Sequence, residues 1–162
     1  MAGPRRGKSD KSDGRGARIL LVEARFYEEI ADALLVGATR ALEQAQATFD
    51  RISVPGSLEI PTAIALALDA ARRRRRPYDG ALALGCVIRG ETIHFEIVSH
   101  QSARGLMDVS LARGIPIGNG IITVENETQA FARARPEEQD KGGDAVRAAL
   151  ALVALRRRLG AR

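Results

Sequence analysis

Apolar and polar positions divide this chain into two alternating kinds of segment. Short apolar runs, each bounded by Gly, Pro or charged residues, indicate strands that are covered on both faces of a parallel sheet. The longer segments between them carry apolar residues at helical spacing, as Ile30, Leu34, Ala38 and Leu42 do. Strands that alternate with helices predict an α/β fold, a three-layer α/β/α sandwich whose crossovers are right-handed.

The same pattern sets the expected order of elements. We expect strands at residues 17–24, 48–54, 81–88 and 116–123. We expect helices at residues 28–46, 61–71, about 97–113 and 126–134, and a last helix that residues 142–144 introduce and that ends at Leu159. Asn126 with Gln129 three positions later resembles a capping box at the start of the short fourth helix. We find no internal repeat.

Length and composition predict one soluble domain, residues 17–162, behind a disordered basic tail, residues 1–16. No apolar run approaches the roughly 20 residues of a membrane span, and the N-terminus lacks the apolar core of a signal peptide. The single cysteine, Cys86, lies inside an apolar strand, which favours a small buried hydrophobe over a reactive thiol. These features predict a cytoplasmic protein.

The net charge of +5 raises the question of a nucleic-acid partner. The charge is concentrated in residues 1–16, which carry +3, and in the run Arg72–Arg76, which carries +5, so the rest of the chain is at −3. No aromatic residue interleaves with the arginine run, as a platform for single strands would need. We therefore favour the solvated end of a helix for these arginines over a phosphate-binding surface, and nucleic acid is not an expected partner.

The predicted second helix, residues 61–71, is apolar nearly all round. Such a helix in a small domain needs burial beyond its own sheet, which predicts a subunit interface. Pro61 fits the first turn of this helix.

The segment Gly85–Phe95, GCVIRGETIHF, carries the strongest signal for chemistry. A buried strand ends there in a turn with Glu91 and Thr92, and His94 follows. Ligands of open α/β sheets bind at the carboxyl ends of strands, and a turn that leads into a helix suits an anion. An imidazole beside such a turn can move protons near neutral pH, and a purely structural histidine is the alternative.

Other polar residues have ordinary explanations when each is taken alone. Glu59, in the segment VPGSLEIP, either binds a polyhydroxylated ligand or complements a helix dipole. His100 is expected in a surface or core role inside the third helix. Arg133 and Lys141 are by default solvated cations.

Together these segments resemble the lumazine synthase family over nearly the whole chain after the tail. The resemblance rests on ARF at Ala24–Phe26, VPGSLEIP at Val54–Pro61, GCVIRGETIHFE at Gly85–Glu96, GIITVENETQA at Gly120–Ala130 and DKG at Asp140–Gly142. It implies a four-stranded parallel flavodoxin-like sheet and a homo-oligomer, a pentamer or a multiple of pentamers, with active sites shared between neighbouring subunits. The family condenses 5-amino-6-(D-ribitylamino)uracil with 3,4-dihydroxy-2-butanone 4-phosphate and needs no metal or organic cofactor. Handover of the product to riboflavin synthase is a further implied partnership.

The resemblance also assigns roles by position in this sequence. Phe26 would stack on the pyrimidine, and Ser57, Leu58 and Glu59 would hold the ribityl chain. Glu91 and Thr92 would bind phosphate, and Arg133 would reach that phosphate from the neighbouring subunit. His94 would carry protons, with Lys141 near the reacting centre. The remaining substrate contacts would come from Cys86, Val87, Ile88 and Asn119.

Three positions depart from the family pattern. Tyr27 stands where Asn is common, Leu58 replaces a frequent Phe, and Asn119 replaces an aromatic that neighbouring subunits often supply. Because aromatic residues make up only 4% of the chain, stacking falls largely on Phe26, and substrate affinity is expected to be reduced. Two alternatives to the enzyme stay open here: a paralogue that binds flavin or lumazine with little turnover, and a basic-tailed assembly that binds nucleic acid.

Overall fold

The computed structural model describes residues 14–160, so most of the predicted tail, residues 1–13, lies outside the described residues. The described chain begins with a turn in which the amide of Ala17 donates to the carbonyl of Gly14 at 2.8 Å. This turn leads directly into the first strand, and Ala17 itself is fully buried.

The strands form one parallel sheet, as the alternation of apolar segments predicted. They are β1 (Arg18–Ala24), β2 (Thr48–Val54), β3 (Gly80–Ile88) and β4 (Ile117–Val124), in the order β2-β1-β3-β4. β1 pairs with β2 along its whole length and with β3 on its other side. β1 is buried on both faces because Ile19 and Leu21 point to one helical layer and Leu20 and Val22 to the other.

The helices are α1 (Glu28–Gln44), α2 (Ile60–Arg73), α3 (His94–Arg113), α4 (Glu127–Ala134) and α5 (Lys141–Arg158), and a single 3₁₀ turn (Ser57–Glu59) precedes α2. α1, α4 and α5 cover one face of the sheet, and α2 and α3 cover the other. The three-layer α/β/α sandwich is therefore confirmed. Between residues 14 and 160 no helix is both long and apolar enough to cross a membrane.

The start of α3 differs from the prediction, which placed it near Ile97. The helix begins at His94, and the amide of Ile97 already donates to the carbonyl of Ile93 at 3.1 Å. The polar residues Thr92 and His94 look like loop in the sequence, but the amide of His94 donates to the Thr92 hydroxyl at 3.3 Å and closes the turn that starts the helix.

The start of α5 also differs, because the glycines expected before the helix lie inside its first turn. Asp140 is the N-cap, and its carboxylate accepts from the amide of Gly143 at 3.1 Å. A Cβ on Gly142 would lie 2.1 Å from the carbonyl oxygen of Leu34 on α1. Glycine here permits the close approach of α5 to α1 and is not a helix breaker.

The predicted cap of α4 is confirmed in part. The side chain of Asn126 accepts from the amide of Gln129 at 2.9 Å. The side-chain oxygen of Gln129 accepts a hydrogen bond from the amide of Glu125 at 2.9 Å, and not from the amide of the cap residue. Both bonds tie the end of β4 to the beginning of α4.

We expect Gly142→Ala to lower the free energy of unfolding by about 2 kcal/mol, because a backbone carbonyl cannot turn away from the new methyl group. Urea unfolding followed by circular dichroism measures the change. Gly90→Ala is the matched control, since its Cβ would meet nothing within 4 Å. Equal midpoints for the two variants would contradict the proposed close packing of α5 on α1.

Candidate active site

A cavity of about 490 Å³ opens at the carboxyl ends of β1, β2 and β3. In the sheet, β2 lies on one side of β1 and β3 lies on the other side. Loops after such strands diverge and leave a crevice, which is where doubly wound sheets bind ligands. The cavity therefore occupies the position that the strand order favours for a site.

The wall after β1 is aromatic. Phe26 is 73% exposed, and its ring meets the Tyr27 ring edge to face, with centroids 4.9 Å apart. Both rings line the cavity. Burial raises the pKa of the Tyr27 hydroxyl, with a smaller contribution from Cys86. An exposed Phe at a cavity mouth offers a face on which a planar ligand can stack.

A buried carboxylate holds this wall in place. Glu23 is completely buried, and its carboxylate accepts bonds from Arg51 at 2.6 Å, Ser53 at 3.0 Å and Arg25 at 3.2 Å. Arg25 also pairs with Asp32 on α1 at 2.6 Å. These bonds compensate the burial of the charge and fix the residue just before Phe26.

The wall after β2 is the segment from Pro55 to Glu59. Ser57 is buried against β3, and a Cβ on Gly85 would lie only 2.7 Å from its hydroxyl oxygen. Gly85 therefore allows the 3₁₀ turn to approach the strand. Glu59 is exposed at the N-cap position of α2 without a side-chain cap bond, so its carboxylate is available to a ligand.

The floor comes from the end of β3, where Cys86, Val87 and Ile88 line the cavity. Burial raises the pKa of the Cys86 thiol to about 12. The thiol is thus protonated at neutral pH and acts as an apolar surface, as the sequence analysis expected.

The third wall is the loop after β3 together with the first turn of α3. Arg89 holds this loop, because its guanidinium pairs with Glu96 at 2.5 Å and Glu125 at 2.8 Å and lies 4.2 Å above the Phe95 ring. The hydrogen bond from Arg89 lowers the pKa of Glu96. The first amides of a helix have no partner inside the helix, so the start of α3 can accept an anion.

Nine of the predicted site residues line this one cavity. They are Phe26, Ser57, Leu58, Glu59, Cys86, Val87, Ile88, Thr92 and His94. Four others do not line it. Glu91 is exposed on the loop, and Asn119 lies on the edge strand β4, in a separate depression of about 270 Å³ with His100.

Arg133 and Lys141 also lie outside the cavity. The guanidinium of Arg133 donates to the carbonyl of Gln129 within α4 at 3.1 Å. The ammonium of Lys141 pairs with Asp144 on α5 at 3.3 Å. Among the described residues that line the cavity there is thus no Lys or Arg, although it holds a carboxylate and an imidazole. Residues 14–160 contain no group of three His, Cys, Asp or Glu that could hold a metal ion.

Tyr27, which the sequence analysis noted only as a departure from the family pattern, also lines the cavity, and so do five residues to which it gave no site role: Pro55, Gly56, Gly90, Phe95 and Val98. Phe95 and Val98 were missed because the start of α3 was placed too late. His94 and Val98 lie four residues apart on one helical face, a spacing that an earlier start would have brought out. Glu23 was missed as a support, although a carboxylate within an apolar strand was a usable signal.

Comparison with known proteins adds an independent finding. The family described as 6,7-dimethyl-8-ribityllumazine synthase matches residues 16–157. A 6,7-dimethyl-8-ribityllumazine synthase of Afipia carboxidovorans is 60% identical over 160 residues, which cover 98% of both chains. The 6,7-dimethyl-8-ribityllumazine synthase 1 of Rhodopseudomonas palustris shows the same identity and coverage. An Agrobacterium fabrum synthase of the same name is 60% identical over 88% of this chain and 96% of its own.

We expect Cys86 to resist alkylation by iodoacetamide at pH 8, because a thiol with a pKa of about 12 is almost entirely protonated there. The rate in the native protein should be at least about 100-fold below that in urea, as mass spectrometry of quenched samples can measure. A native rate close to the unfolded one would contradict the apolar floor.

Proposed function

The chain belongs to the 6,7-dimethyl-8-ribityllumazine synthase family, and we propose that the cavity at the ends of β1, β2 and β3 holds its active site. The enzyme is a transferase of riboflavin biosynthesis that condenses 5-amino-6-(D-ribitylamino)uracil with 3,4-dihydroxy-2-butanone 4-phosphate. The products are 6,7-dimethyl-8-ribityllumazine, phosphate and water. The observation that carries the proposal is that Phe26, Glu59 and His94, from three separate segments, line one cavity.

The pyrimidine and the ribityl chain fit two different walls. Phe26 stacks on the pyrimidine, and the exposed part of its ring becomes buried when the substrate binds. The segment Ser57–Glu59 offers backbone groups and a carboxylate to the ribityl hydroxyls. Cys86, Val87 and Ile88 form the apolar floor beneath the ring.

The phosphate of the second substrate binds at the start of α3. The first-turn amides there, with the backbone at Glu91 and the Thr92 hydroxyl, provide donors, and the helix dipole favours an anion. A doubly charged phosphate also calls for a cation, and the lining residues of this cavity include none. In the proposed enzyme Arg133 of a neighbouring subunit supplies it.

His94 moves the protons of the condensation. The arylamine of the uracil adds to the ketone and water leaves, which forms an imine. Removal of a proton then lets phosphate depart, and the ribitylamino nitrogen closes the ring on the new carbonyl with loss of a second water. An imidazole at the cavity wall can accept and return these protons, a role that typically contributes about 10²- to 10⁴-fold. Lys141 of a neighbour assists near the reacting centre.

The shared site makes oligomerisation part of the proposal. Exposed apolar side chains on α2 and α3 support it, among them Leu66 at 65%, Met107 at 56% and Leu111 at 75% exposure. A pentamer, or a multiple of it, brings these faces together around the sites. A cytoplasmic location and delivery of the product to riboflavin synthase complete the proposed role.

We expect His94→Ala to lower kcat by about 10²-fold while turnover stays above the uncatalysed background, because positioning of the two substrates still contributes. The assay mixes both substrates and follows lumazine absorbance and phosphate release together. His100→Gln is the control, since His100 lies on the same helix outside the cavity. A His94→Ala enzyme as fast as wild type, or wholly inert, would refute the proton-carrier role.

We expect Arg133→Ala to raise the KM for the butanone phosphate more than it changes the KM for the uracil. Mixing this variant with His94→Ala, after joint denaturation and refolding, should restore activity to about a quarter of wild type, because one site in four then combines both native residues. Each variant refolded alone is the control. If the mixture shows only the mean of the two variants, Arg133 and His94 do not act in one shared site.

A further inference from the structure

The end of the sheet opposite the cavity carries a concentration of arginines. Because all strands are parallel, the helices that cross back end near the amino ends of the strands. α2 ends with Arg72 and Arg73, α3 with Arg113, and α5 with Arg156–Arg158. We name as the arginine surface these residues and their neighbours at this end: Arg15, Arg18, Arg72–Arg76, Arg113 and Arg156–Arg158.

Direct contacts show that these arginines lie together although they are far apart in sequence. Arg156 donates to the carbonyl of Asp79 at 2.6 Å and to that of Gly114 at 3.3 Å. Arg157 donates to the carbonyl of Arg15 at 3.2 Å, and Arg18 donates to the carbonyl of Arg76. Furthermore, Arg72, Arg113 and Arg156 line one depression of about 410 Å³.

The charge of this end is not balanced. Eleven arginines meet four carboxylates at the same end, those of Glu43, Asp50, Asp69 and Asp79. Asp50 pairs with Arg18 and Asp69 with Arg113. Within residues 14–160 the side chains of Arg72–Arg75 make no hydrogen bond or ion pair, and all four are exposed. The surface therefore presents a positive field, and four of its guanidinium groups have no hydrogen-bond or ion-pair partner among residues 14–160.

The length of the arginine run argues that these side chains are more than a solvated helix end. Arg75 has a φ of +56°, a left-handed conformation that follows the C-cap of α2 and that usually belongs to glycine. Gln46 holds the same conformation after α1, at a φ of +57°, so the conformation by itself does not single out Arg75, which adds a fourth consecutive cation to the run. Neutralising the dipole of α2 requires no more than one or two cations in its last turn.

We propose that the arginine surface binds the phosphate backbone of duplex nucleic acid without reading its sequence. Guanidinium groups match phosphate oxygens through paired donors, and every cation of the arginine surface is an arginine. Duplex DNA presents one negative charge about every 1.7 Å, which suits a broad patch of cations. A single strand is disfavoured, because the ring of Tyr78 lies 4.1 Å beneath the Arg18 guanidinium and its hydroxyl donates to Asp50.

The folded chain concentrates more positive charge around the arginine run than the sequence indicates. The run Arg72–Arg76 was judged alone, and the rest of the chain was counted at −3. The fold instead adds six arginines from other segments to this run. Because the surface and the cavity lie at opposite ends of the strands, nucleic acid and substrate can bind together.

The test uses full-length protein and a fluorescein-labelled 20-base-pair DNA duplex, with anisotropy measured from 50 to 300 mM NaCl. We expect the dissociation constant of R73Q/R74Q/R75Q to rise at least about tenfold at 50 mM salt, and the slope of log K against log salt to shrink by about 2 to 3. The charge-matched control is R40Q/R104Q/R135Q, whose arginines are exposed elsewhere and form surface ion pairs. It should bind within about twofold of wild type.

Further experiments distinguish binding by the arginine surface from binding by the tail, from an effect of net charge and from membrane binding. R5Q/R6Q/K8Q/K11Q removes the cations of residues 1–13, and loss of binding in this variant alone would assign the duplex to the tail and overturn the proposal. Equal weakening by the two arginine triple variants would reduce the effect to net charge and also overturn it. Binding to phosphatidylserine vesicles without duplex binding would replace nucleic acid by a membrane. Retained lumazine synthesis in R73Q/R74Q/R75Q would show that the variant is folded.

Discussion

The parallel direction of all four strands is the constraint on which the rest of this structure depends. It forces every strand to end at one edge of the sheet and every crossover helix to end at the other. The loops that follow β1, β2 and β3 then lie at the same end of the sheet, and together they line a cavity of about 490 Å³. Three segments that are far apart in sequence therefore line the same cavity.

One buried carboxylate and one exposed arginine hold these loops in place. Glu23 accepts bonds from two arginines and a serine, which anchors the chain just before Phe26. Arg89 joins the end of β3 to the first turn of α3 and to Glu125. Neither residue lines the cavity, yet each orients a wall that does. Such support keeps the groups that we propose to contact substrate in a fixed position.

The charged residues are also distributed unequally between the two ends of the strands. The cavity contains a carboxylate, an imidazole and the start of a helix, but its lining lacks Lys and Arg within the described chain. In the proposed enzyme, a second copy supplies the cation for the phosphorylated substrate, which links catalysis to assembly. The opposite end collects arginines from the ends of α2, α3 and α5. One fold thus separates the proposed site for small substrates from the arginine surface, for which we propose a large polyanion.

The sequence by itself determined the fold class, the bounds of β2 and most of the cavity lining, because apolar periodicity and motif order are local properties of the chain. It misplaced the start of α3, since the Thr92 bond that begins the helix depends on loop geometry. Only the tertiary structure left Arg133 outside the cavity of its own chain and gathered distant arginines at one end. Both outcomes depend on which segments become neighbours in space, and strand order, rather than local composition, decides that.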